Sequence, residues 1–364
     1  MDIKRLITKS LLIILFTLLS VKTEAQHFKF RNVSGPTELS GELDFPVLTD
    51  KTTAANQINT FLQADRLDLL PGKQKKNLFE NIIPKKGSNT GTSFLAYKIL
   101  VNSPKLFSIE INSEYSGGSL NEYTAIYNFD SQTGKLLKFS DLIKKESYDA
   151  VRKFVITSRK TRLINYLKTL KSSANKEQNV IDTYSECLLR QDMDDLDLDD
   201  LKFQKNGLLL TRKSCSGSHY FQALEDADIY SNLLNNKYLQ PYLNAYGNCL
   251  LSAKNEKCIP FQSTGLNKNI YKGKINDLYP ITLLITRVEK NSFQAAYFYD
   301  QQGKKIFLNG TFNKDLSLLL NGGPSTGTTN NKELFKLKMQ ADGSLTGTWS
   351  NGKSSYPLVL KGIL

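Results

Sequence analysis

The residues best suited to chemistry surround one histidine in the second half of the chain. The sequence has two histidines, His27 and His219, and His219 follows Cys215, Ser216 and Ser218 closely. A histidine beside a thiol or hydroxyl can act as the base of a nucleophilic pair. Side chains so close in sequence are not the usual geometry, and no G-x-S-x-G, H-E-x-x-H, Walker or dinucleotide motif is present. We therefore expect no catalytic residue and no cofactor, although two facing carboxylates of the glycosidase type remain compatible with the sequence.

The cysteines predict disulfides rather than a metal site. They are Cys187, Cys215, Cys249 and Cys258, without a C-x-x-C pair of the kind that binds zinc. An even number of cysteines in an exported chain is typical of two disulfides, for which three connectivities exist. Proximity along the chain favours Cys249 with Cys258, which leaves Cys187 with Cys215.

A run of aspartates invites a calcium interpretation. Its members are Asp192, Asp194, Asp195, Asp197, Asp199 and Asp200. An EF-hand loop uses a central glycine and a closing glutamate, whereas the twelfth position counted from Asp192 is Phe203. We therefore expect no metal here. Leu196 and Leu201 favour a solvated connection that touches the core and neutralises the basic helix before it.

The N-terminus has the pattern of a secretory signal peptide. Basic residues precede an apolar stretch, residues 11–21, that is too short to span a bilayer. Small residues end at Ala25, so we expect a signal peptide over residues 1–25 and a mature chain that begins at Gln26; an uncleaved anchor is the alternative. No cysteine marks a lipid anchor, and no later apolar run is long enough for a membrane span. The expected location is the periplasm or the exterior.

The formal net charge of +13 bears on the class of partner. An exported protein has no routine access to nucleic acid, so the basic excess indicates an anionic glycan, lipid headgroups or an acidic protein. A solubilising surface charge explains the excess equally well.

Residues 26–250 alternate between helical and β-type patterns, which predicts an α+β domain with helices packed on an antiparallel sheet. A first helix follows Asp50 and Thr52, either of which could cap it, and a longer one runs from about Ser147 to Ser172. The other predicted elements are strands at Leu95–Val101, Leu106–Ile111, Glu122–Phe129, Leu136–Phe139 and Gly207–Thr211, and a helix at Val180–Leu189. The basic side chains of the long helix form either a surface for an anionic partner or a solvated face: Arg152, Lys153, Arg159, Lys160, Lys168 and Lys171.

Three groups of residues in this domain carry a family resemblance. They are Asp44-Phe45-Pro46 followed by Ala54, Ile58 and Asn59, then Ser113-Glu114-Tyr115-Ser116-Gly117-Gly118, then Asn128-Phe129-Asp130 with Thr133-Gly134-Lys135 and Asp141-Leu142. In this order and spacing the chain resembles the extracellular domain of RsiV-type anti-sigma factors, which sense lysozyme; the same domain is an accessory domain of PdaC-type peptidoglycan deacetylases. The resemblance covers about residues 28–247 and implies an α+β fold.

The chain departs from that family in two places. Leu120 stands where the family often has a histidine, and Cys215 to Tyr220 replace an aromatic and proline-containing segment. Lysozyme is strongly cationic and so is this chain, so long-range electrostatics oppose their encounter. The resemblance therefore implies lysozyme recognition less than it implies the fold.

Residues 265–364 consist of short β-type runs separated by Gly, Asn and Asp turns, which predicts a small all-β meander or barrel-like domain. The eight runs begin at Tyr271, Ile281, Gln294, Lys305, Leu316, Leu334, Leu345 and Pro357. Gly347-Thr348-Trp349 resembles the Gly-x-Trp strand of lipocalin-like barrels. Trp349 is then either a plug in the barrel core or a carbohydrate platform.

The predicted binding surface is the turn Tyr115-Ser116-Gly117-Gly118-Ser119 together with Tyr123. Paired glycines permit positive φ and a close backbone approach, and the two tyrosines offer amphipathic contact area. A tight turn between strands also needs such glycines, so a purely structural role is the alternative.

Three functions remain open from the sequence. We expect an exported, non-enzymatic binding or accessory protein of the bacterial envelope that recognises a cell-wall glycan or an extracellular protein. The alternatives are an envelope polysaccharide hydrolase with an unidentified carboxylate pair and a structural partner in an envelope complex.

Overall fold

A computed structural model of the protein describes residues 27–36, 42–118, 120–173, 177–189, 195–212, 229–252, 254, 257–260, 266, 269–289, 291–322 and 333–363. Several residues of the sequence predictions lie outside this part of the chain. They are the signal peptide, Ser119, Asp192, Asp194, and Cys215, Ser216, Ser218 and His219.

The first domain combines helices with small antiparallel sheets, as the sequence predicts. Its strands and helices are β1 (Phe30–Ser34), β2 (Asp44–Leu48), α1 (Thr53–Arg66), β3 (Gly91–Asn102), β4 (Leu106–Ser116), β5 (Leu120–Asp130), α2 (Tyr148–Ser172), α3 (Gln178–Leu189), β6 (Asp200–Gln204), β7 (Gly207–Thr211), β8 (Ser231–Asn235), α4 (Asn236–Leu239) and α5 (Ala245–Leu251). The strands pair as β1-β2, β3-β4-β5 and β6-β7-β8.

The start of α1 is fixed by a side-chain cap. The Oγ1 of Thr52 accepts a hydrogen bond from the Ala55 N–H at 3.1 Å, which confirms Thr52 as one of the two predicted caps. Ile58 on the inner face is fully buried in the core of the first domain. Asn59 ties the helix to β2, because its side chain accepts from the Leu48 N–H and donates to the Leu48 carbonyl.

The meander β3-β4-β5 buries one face and turns the other towards β6. Phe107, Ile109 and Ile111 alternate along β4 and are fully buried, which is the period of two that a half-buried strand requires. On the opposite face, the Lys202 Nζ of β6 lies 2.8 Å from the Glu110 Oε2 of β4. The sheet β6-β7-β8 therefore covers the face of the meander that α1 leaves open.

One predicted strand of the first domain was wrong. In the segment Leu136–Phe139 only Leu136 pairs, through a single bridge to Phe129. Residues Phe139–Asp141 instead form a turn of 3-10 helix. The Oδ2 of Asp141 accepts from the Lys138 N–H at 3.1 Å, which closes the backbone into that turn.

The predicted boundaries of the long helix α2 are confirmed. One of its basic residues, however, does not lie on the surface. Arg159 is fully buried, and its Nη2 lies 2.6 Å from the Asp199 Oδ2. Its Nε donates to the Asn232 Oδ1 at 3.0 Å. A buried guanidinium needs such partners, because desolvation without them is costly. No helix in the described ranges is both long and apolar enough to cross a membrane.

The second domain is a closed barrel of eight antiparallel strands, as the sequence predicts. The strands are β9 (Asn269–Ile275), β10 (Tyr279–Glu289), β11 (Ser292–Tyr299), β12 (Lys305–Phe312), β13 (Ser317–Gly322), β14 (Leu334–Met339), β15 (Leu345–Ser350) and β16 (Ser355–Gly362). Each strand pairs with the next, and β16 pairs with β9 to close the circle.

The barrel interior is packed with side chains. The rings of Tyr297 and Phe335 are 5.0 Å apart, and both side chains are fully buried. A Cβ added at Gly310 would lie 2.3 Å from the Phe293 ring, which occupies the space that a side chain would need. Trp349 is 6% exposed and packs in the same interior. Of the two alternatives for Trp349, this is the position expected of a plug in the barrel core.

The outer surface of three barrel strands belongs to the core of the first domain. Ile270 of β9, Leu284 of β10 and Phe298 of β11 point away from the barrel interior and are buried in the cluster that also contains α1. In β10 and β11 both faces are therefore apolar, whereas the other strands alternate between apolar and polar residues. One hydrophobic core is therefore shared between the two domains, while the barrel interior forms a core of its own.

Candidate functional site: a lysine groove between the domains

The segment between α1 and β3 forms one wall of a groove and is held from inside. Leu67 and Phe79 are fully buried in the core of the first domain. The two carboxylate oxygens of Glu80 accept hydrogen bonds from the N–H groups of Lys75 and Lys76, at 2.7 and 2.8 Å. These anchors fix the backbone of the loop, so its lysine side chains project into solvent from a defined frame.

The turn between β11 and β12 forms the opposite wall. Gly303 has φ +64, and a Cβ there would lie 2.8 Å from the Cβ of Lys73, so glycine permits both the turn and the close approach. Across the floor of the groove, the Lys305 Nζ lies 2.6 Å from the Asp68 Oδ1. The same ammonium is 4.7 Å from the ring centroid of Phe307, which is 50% exposed.

The groove between these walls has a volume of about 680 Å³ and is strongly basic. Seven lysines line it, namely Lys73, Lys75, Lys76, Lys85, Lys86, Lys304 and Lys305. All of them are exposed except Lys305, which is partly buried. Among the described residues, the carboxylates that line the groove are Asp68 and Glu80. Positive charge therefore exceeds negative charge by five. We call this feature the lysine groove.

Both carboxylates of the lysine groove already have partners in the protein. Asp68 holds the ammonium of Lys305. The backbone N–H group of Lys75 and, to a smaller degree, that of Lys76 lower the pKa of Glu80 below its ordinary value. Glu80 is therefore a fixed anion at neutral pH, and it serves to organise the loop.

The arrangement can bind an extended anion. Ammonium groups on flexible stems act as point charges that adapt to anions of variable spacing. Salt screens such exposed charges over about 8 Å at physiological ionic strength, so several lysines must act together to hold a ligand. The exposed ring of Phe307 adds an apolar surface beside those charges.

A second cavity, of about 290 Å³, lies between the first domain and the barrel, and we call it the aspartate cleft. Five aspartates line it, namely Asp65, Asp141, Asp197, Asp199 and Asp200. The run that suggested calcium thus contributes three of them. In the part of the chain that the structure describes, no group of three or more His, Cys, Asp or Glu side chains is arranged to hold a metal ion.

The carboxylates of the aspartate cleft are engaged in the fold. Asp199 pairs with two guanidinium groups, those of Arg159 and Arg212, at 2.6 and 2.8 Å. Asp197 accepts from the backbone N–H of Ser140 at 2.7 Å and from its hydroxyl at 2.6 Å. The aspartate run therefore neutralises basic residues, including Arg159 of α2.

Asp141 is the carboxylate of the cleft with the least compensation. It is 1% exposed, and its Oδ1 has no hydrogen-bond partner within the described structure. Burial raises the pKa of Asp141 above its ordinary value, against the opposing charges of Lys135 and Lys138.

The predicted binding turn lies at the far end of the β4–β5 hairpin. Tyr115 and Tyr123 are 41% and 47% exposed, and Leu120 beside them is 56% exposed. Tyr115 pairs with Asn121 in the ladder, so Tyr123 lies diagonally across the same face. The two tyrosines are thus neighbours on one face of the hairpin, as the prediction requires. Ser116 is the last residue of β4, and Gly117 follows it in the turn.

Gly118 does not have the conformation that motivated the prediction. Its φ is outside the left-handed region, and a Cβ there would meet nothing within 4 Å. Neither positive φ nor close approach requires glycine at this position. Ser119 lies outside the described residues, so the binding role of the turn stays a prediction.

One of the two predicted disulfides is confirmed. Cys249 and Cys258 are bonded, with their Cα atoms 5.6 Å apart. Cys187 is buried beside α2, and its predicted partner Cys215 lies outside the described residues. The second pairing therefore stays a prediction.

The motif residues behind the family resemblance have structural roles. Asn128 accepts from the Ser108 hydroxyl and donates to the Leu201 carbonyl, both at 2.7 Å. Asp130 accepts from two backbone N–H groups of its own turn, and the Tyr246 hydroxyl donates to it at 2.5 Å. Gly134 has φ +76 in the same turn. The motif fixes the end of the meander β3-β4-β5 against the sheet β6-β7-β8.

In comparisons with known proteins, no family model matches the sequence, and no curated protein matches it. The solved structures that match parts of the chain include two DUF3298 family proteins. A member of the DUF3298 family from Bacteroides fragilis is 12% identical, with a TM-score of 0.38, and the match covers 63% of this chain and 97% of that one. A DUF3298 family protein from Pseudomonas aeruginosa PAO1 is 14% identical, also with a TM-score of 0.38, and covers 60% and 94%. Similarity at this level establishes neither a shared fold nor a shared function.

Sequence reasoning missed the lysine groove. Its lysines come from three short runs, which are residues 73–76, 85–86 and 304–305. The available signal was the concentration of lysine between the first predicted helix and the first strand of the meander. The partner run lies more than two hundred residues further on, and its position beside the loop follows only from the shared core.

Proposed function

We propose that this protein is an exported, non-enzymatic binding protein of the bacterial envelope, and that the lysine groove holds an anionic cell-wall glycan. The observation that carries the proposal is the convergence of seven lysines from both domains on one concave surface. The signal-peptide pattern and the resemblance of residues 28–247 to RsiV-type extracellular domains support the location.

An anionic glycan suits the groove better than an acidic protein does. The groove volume is within the range of ligand sites, and the exposed face of Phe307 offers a surface for a sugar ring. Lysine ammonium groups tolerate variable spacing between anions, whereas arginine forks favour one planar geometry. All seven cationic residues of the groove are lysines, as a flexible polymer of repeated charges requires.

Binding suits the groove better than hydrolysis does. A glycosidase needs two carboxylates on either side of the scissile bond, one of them protonated near neutral pH. Asp68 pairs with Lys305, and the lowered pKa of Glu80 keeps that group ionised. Both groups are therefore committed to the fold.

A matched pair of polymers tests the proposal. Dextran sulfate and neutral dextran share a backbone and differ in charge, so we expect the parent protein to retain the sulfated polymer at low salt and to lose it at high salt. The groove variant replaces four lysines with glutamine: Lys75→Gln, Lys76→Gln, Lys85→Gln and Lys86→Gln. At about 0.5 kcal/mol for each exposed ion pair, four losses weaken binding about thirtyfold.

A second variant controls for total charge. The helix variant carries Lys153→Gln, Lys160→Gln, Lys168→Gln and Lys171→Gln on α2, so its net charge equals that of the groove variant. We expect the helix variant to bind dextran sulfate as the parent does. If both variants lost the same amount of binding to dextran sulfate, net charge and not the lysine groove would explain the binding. The same series with purified peptidoglycan tests the glycan class, and a groove variant that binds peptidoglycan as well as the parent would contradict the proposal.

A further inference from the structure

The outer surface of the barrel carries a second basic region, away from the lysine groove. Five exposed lysines point outward from β9, β14 and β16: Lys272, Lys274, Lys336, Lys338 and Lys361. Threonines of β15 lie between them at outward positions, namely Thr346 and Thr348. We call this surface the barrel wall. It differs from the groove in being convex and formed by one domain.

The strand register places these lysines in rows. Lys338 pairs with Thr346, Thr346 with Val359, and Val359 with Lys274, so one row crosses four strands. At about 4.8 Å between strands, its ends are about 14 Å apart. A neighbouring row places Lys361 directly opposite Lys272. The wall therefore presents ammonium groups in two dimensions.

Direct opposition of like charges has a cost for folding. Cross-strand pairs of like charge destabilise a sheet, and Lys272 and Lys361 form such a pair in the β9–β16 ladder. None of the five lysines makes an ion pair within 4 Å among the residues that the structure describes. By contrast, Lys305 on β12 is paired with Asp68.

The carboxylates near the wall lie in turns at its margins. Asp315 attracts Lys338, and Asp342 attracts Lys361. Each of these aspartates accepts hydrogen bonds from a serine of its own turn, so its position is set locally. Asp277 lies in the turn between β9 and β10. The outward positions of β9, β14, β15 and β16 hold no acidic residue in the described ranges.

We infer that the barrel wall docks on the surface of a lipid bilayer that contains anionic headgroups. A convex surface offers no cavity for a single small ligand, whereas a bilayer presents many anions in one plane. Val359, in the middle of the lysine row, is 50% exposed and supplies an apolar side chain at the centre of the contact. Lysines near an anionic membrane surface each add to the attraction.

The position of the wall fits this role. The first domain packs on Ile270 at the start of β9, on Leu284 of β10 and on Phe298 of β11. The lysine groove opens at the turn between β11 and β12. In a closed eight-stranded barrel, β15 lies across from β11. A bilayer against the wall therefore leaves the groove open on the other side of the barrel.

Vesicle sedimentation tests the inference. The parent protein should sediment with vesicles of phosphatidylcholine and phosphatidylglycerol, and should stay in solution with vesicles of phosphatidylcholine alone. The wall variant carries Lys272→Gln, Lys274→Gln, Lys338→Gln and Lys361→Gln. At about 1 kcal/mol for each lysine, we expect it to bind the anionic vesicles roughly several hundredfold more weakly. Arginine at the same four positions keeps the charge and should keep the binding.

The groove variant separates this inference from the proposed function. It removes the same number of charges and should bind anionic vesicles as the parent does, while the wall variant should bind dextran sulfate as the parent does. A parent protein that ignores anionic vesicles, or a wall variant that binds them as tightly as the groove variant, would overturn the inference. Thermal melting of all variants, followed by circular dichroism, confirms that each is folded.

Discussion

The two domains differ in the kinds of side chain that they bury. The first domain encloses polar and charged side chains in its core, including Asn59, Asn128, Asp130, Asp141 and Arg159. In the barrel strands that the structure describes, Thr282 is the buried polar side chain, and the interior consists of apolar and aromatic groups.

The difference follows from the sheets. A closed barrel pairs every strand on both sides, so its backbone groups need no help from side chains. The first domain is built from short sheets with free edges and turns, whose backbone groups must be satisfied by polar side chains. We therefore expect that removing a buried polar side chain that is well paired destabilises the first domain, whereas a change of side-chain volume destabilises the barrel.

The largest effect is expected at the buried ion pair. Replacing Arg159 with alanine leaves the carboxylate of Asp199 buried with Arg212 alone, and should lower the free energy of unfolding by about 4 kcal/mol. Urea denaturation measures this change. The control is Arg152→Ala on the same helix, since Arg152 pairs with the exposed Asp149 and should contribute less than about 1 kcal/mol. Similar losses in both variants would show that the buried pair contributes no more than the exposed one.

The barrel should respond to volume in the same assay. Leu320 of β13 is fully buried, so Leu320→Ala should cost about 3 kcal/mol through lost contacts and a cavity. Its neighbour Leu319 points outward and is 37% exposed. Leu319→Ala should cost less than about 1 kcal/mol. If the two variants unfold at the same urea concentration, Leu320 does not lie in the barrel interior as described.

The smallest effect is expected at the buried carboxylate of Asp141, and it should depend on pH. Asp141→Asn keeps an acceptor for the Lys138 N–H and removes a buried charge, so at neutral pH it should stabilise the protein by about 1 kcal/mol. Burial raises the pKa of Asp141 in the folded state, so the parent regains stability relative to the variant as pH falls through that value. Denaturation series at several pH values measure the difference, and a difference independent of pH would contradict this account.

The sequence predicted the barrel better than it predicted the first domain. All eight strands of the barrel were predicted, because apolar residues such as Phe335, Leu337 and Met339 alternate with lysines along the strand and so share one face. Strand β6 was missed, because it begins within the aspartate run, where acidic residues obscure the alternation.

Local patterns cannot reveal partners that are distant in the chain. Arg159 resembles its exposed neighbours in the sequence, and it is accommodated in the core by Asp199 and Asn232, which lie forty and seventy-three residues later. The same limit applies to the lysine groove, where Lys75 and Lys305 meet through the fold. By contrast, Cys249 and Cys258 are close in the chain, and their pairing was predicted.

The shared core has a consequence for how this chain can be divided. Ile270, Leu284 and Phe298 face outward from the barrel and are covered by the first domain. A fragment that begins near residue 265 would expose these side chains to water on one side of an otherwise closed surface. Such a patch favours self-association. Loss of either part would also remove one wall of the lysine groove. The change of sequence pattern near residue 265 therefore does not mark a point at which the chain divides into two independent parts.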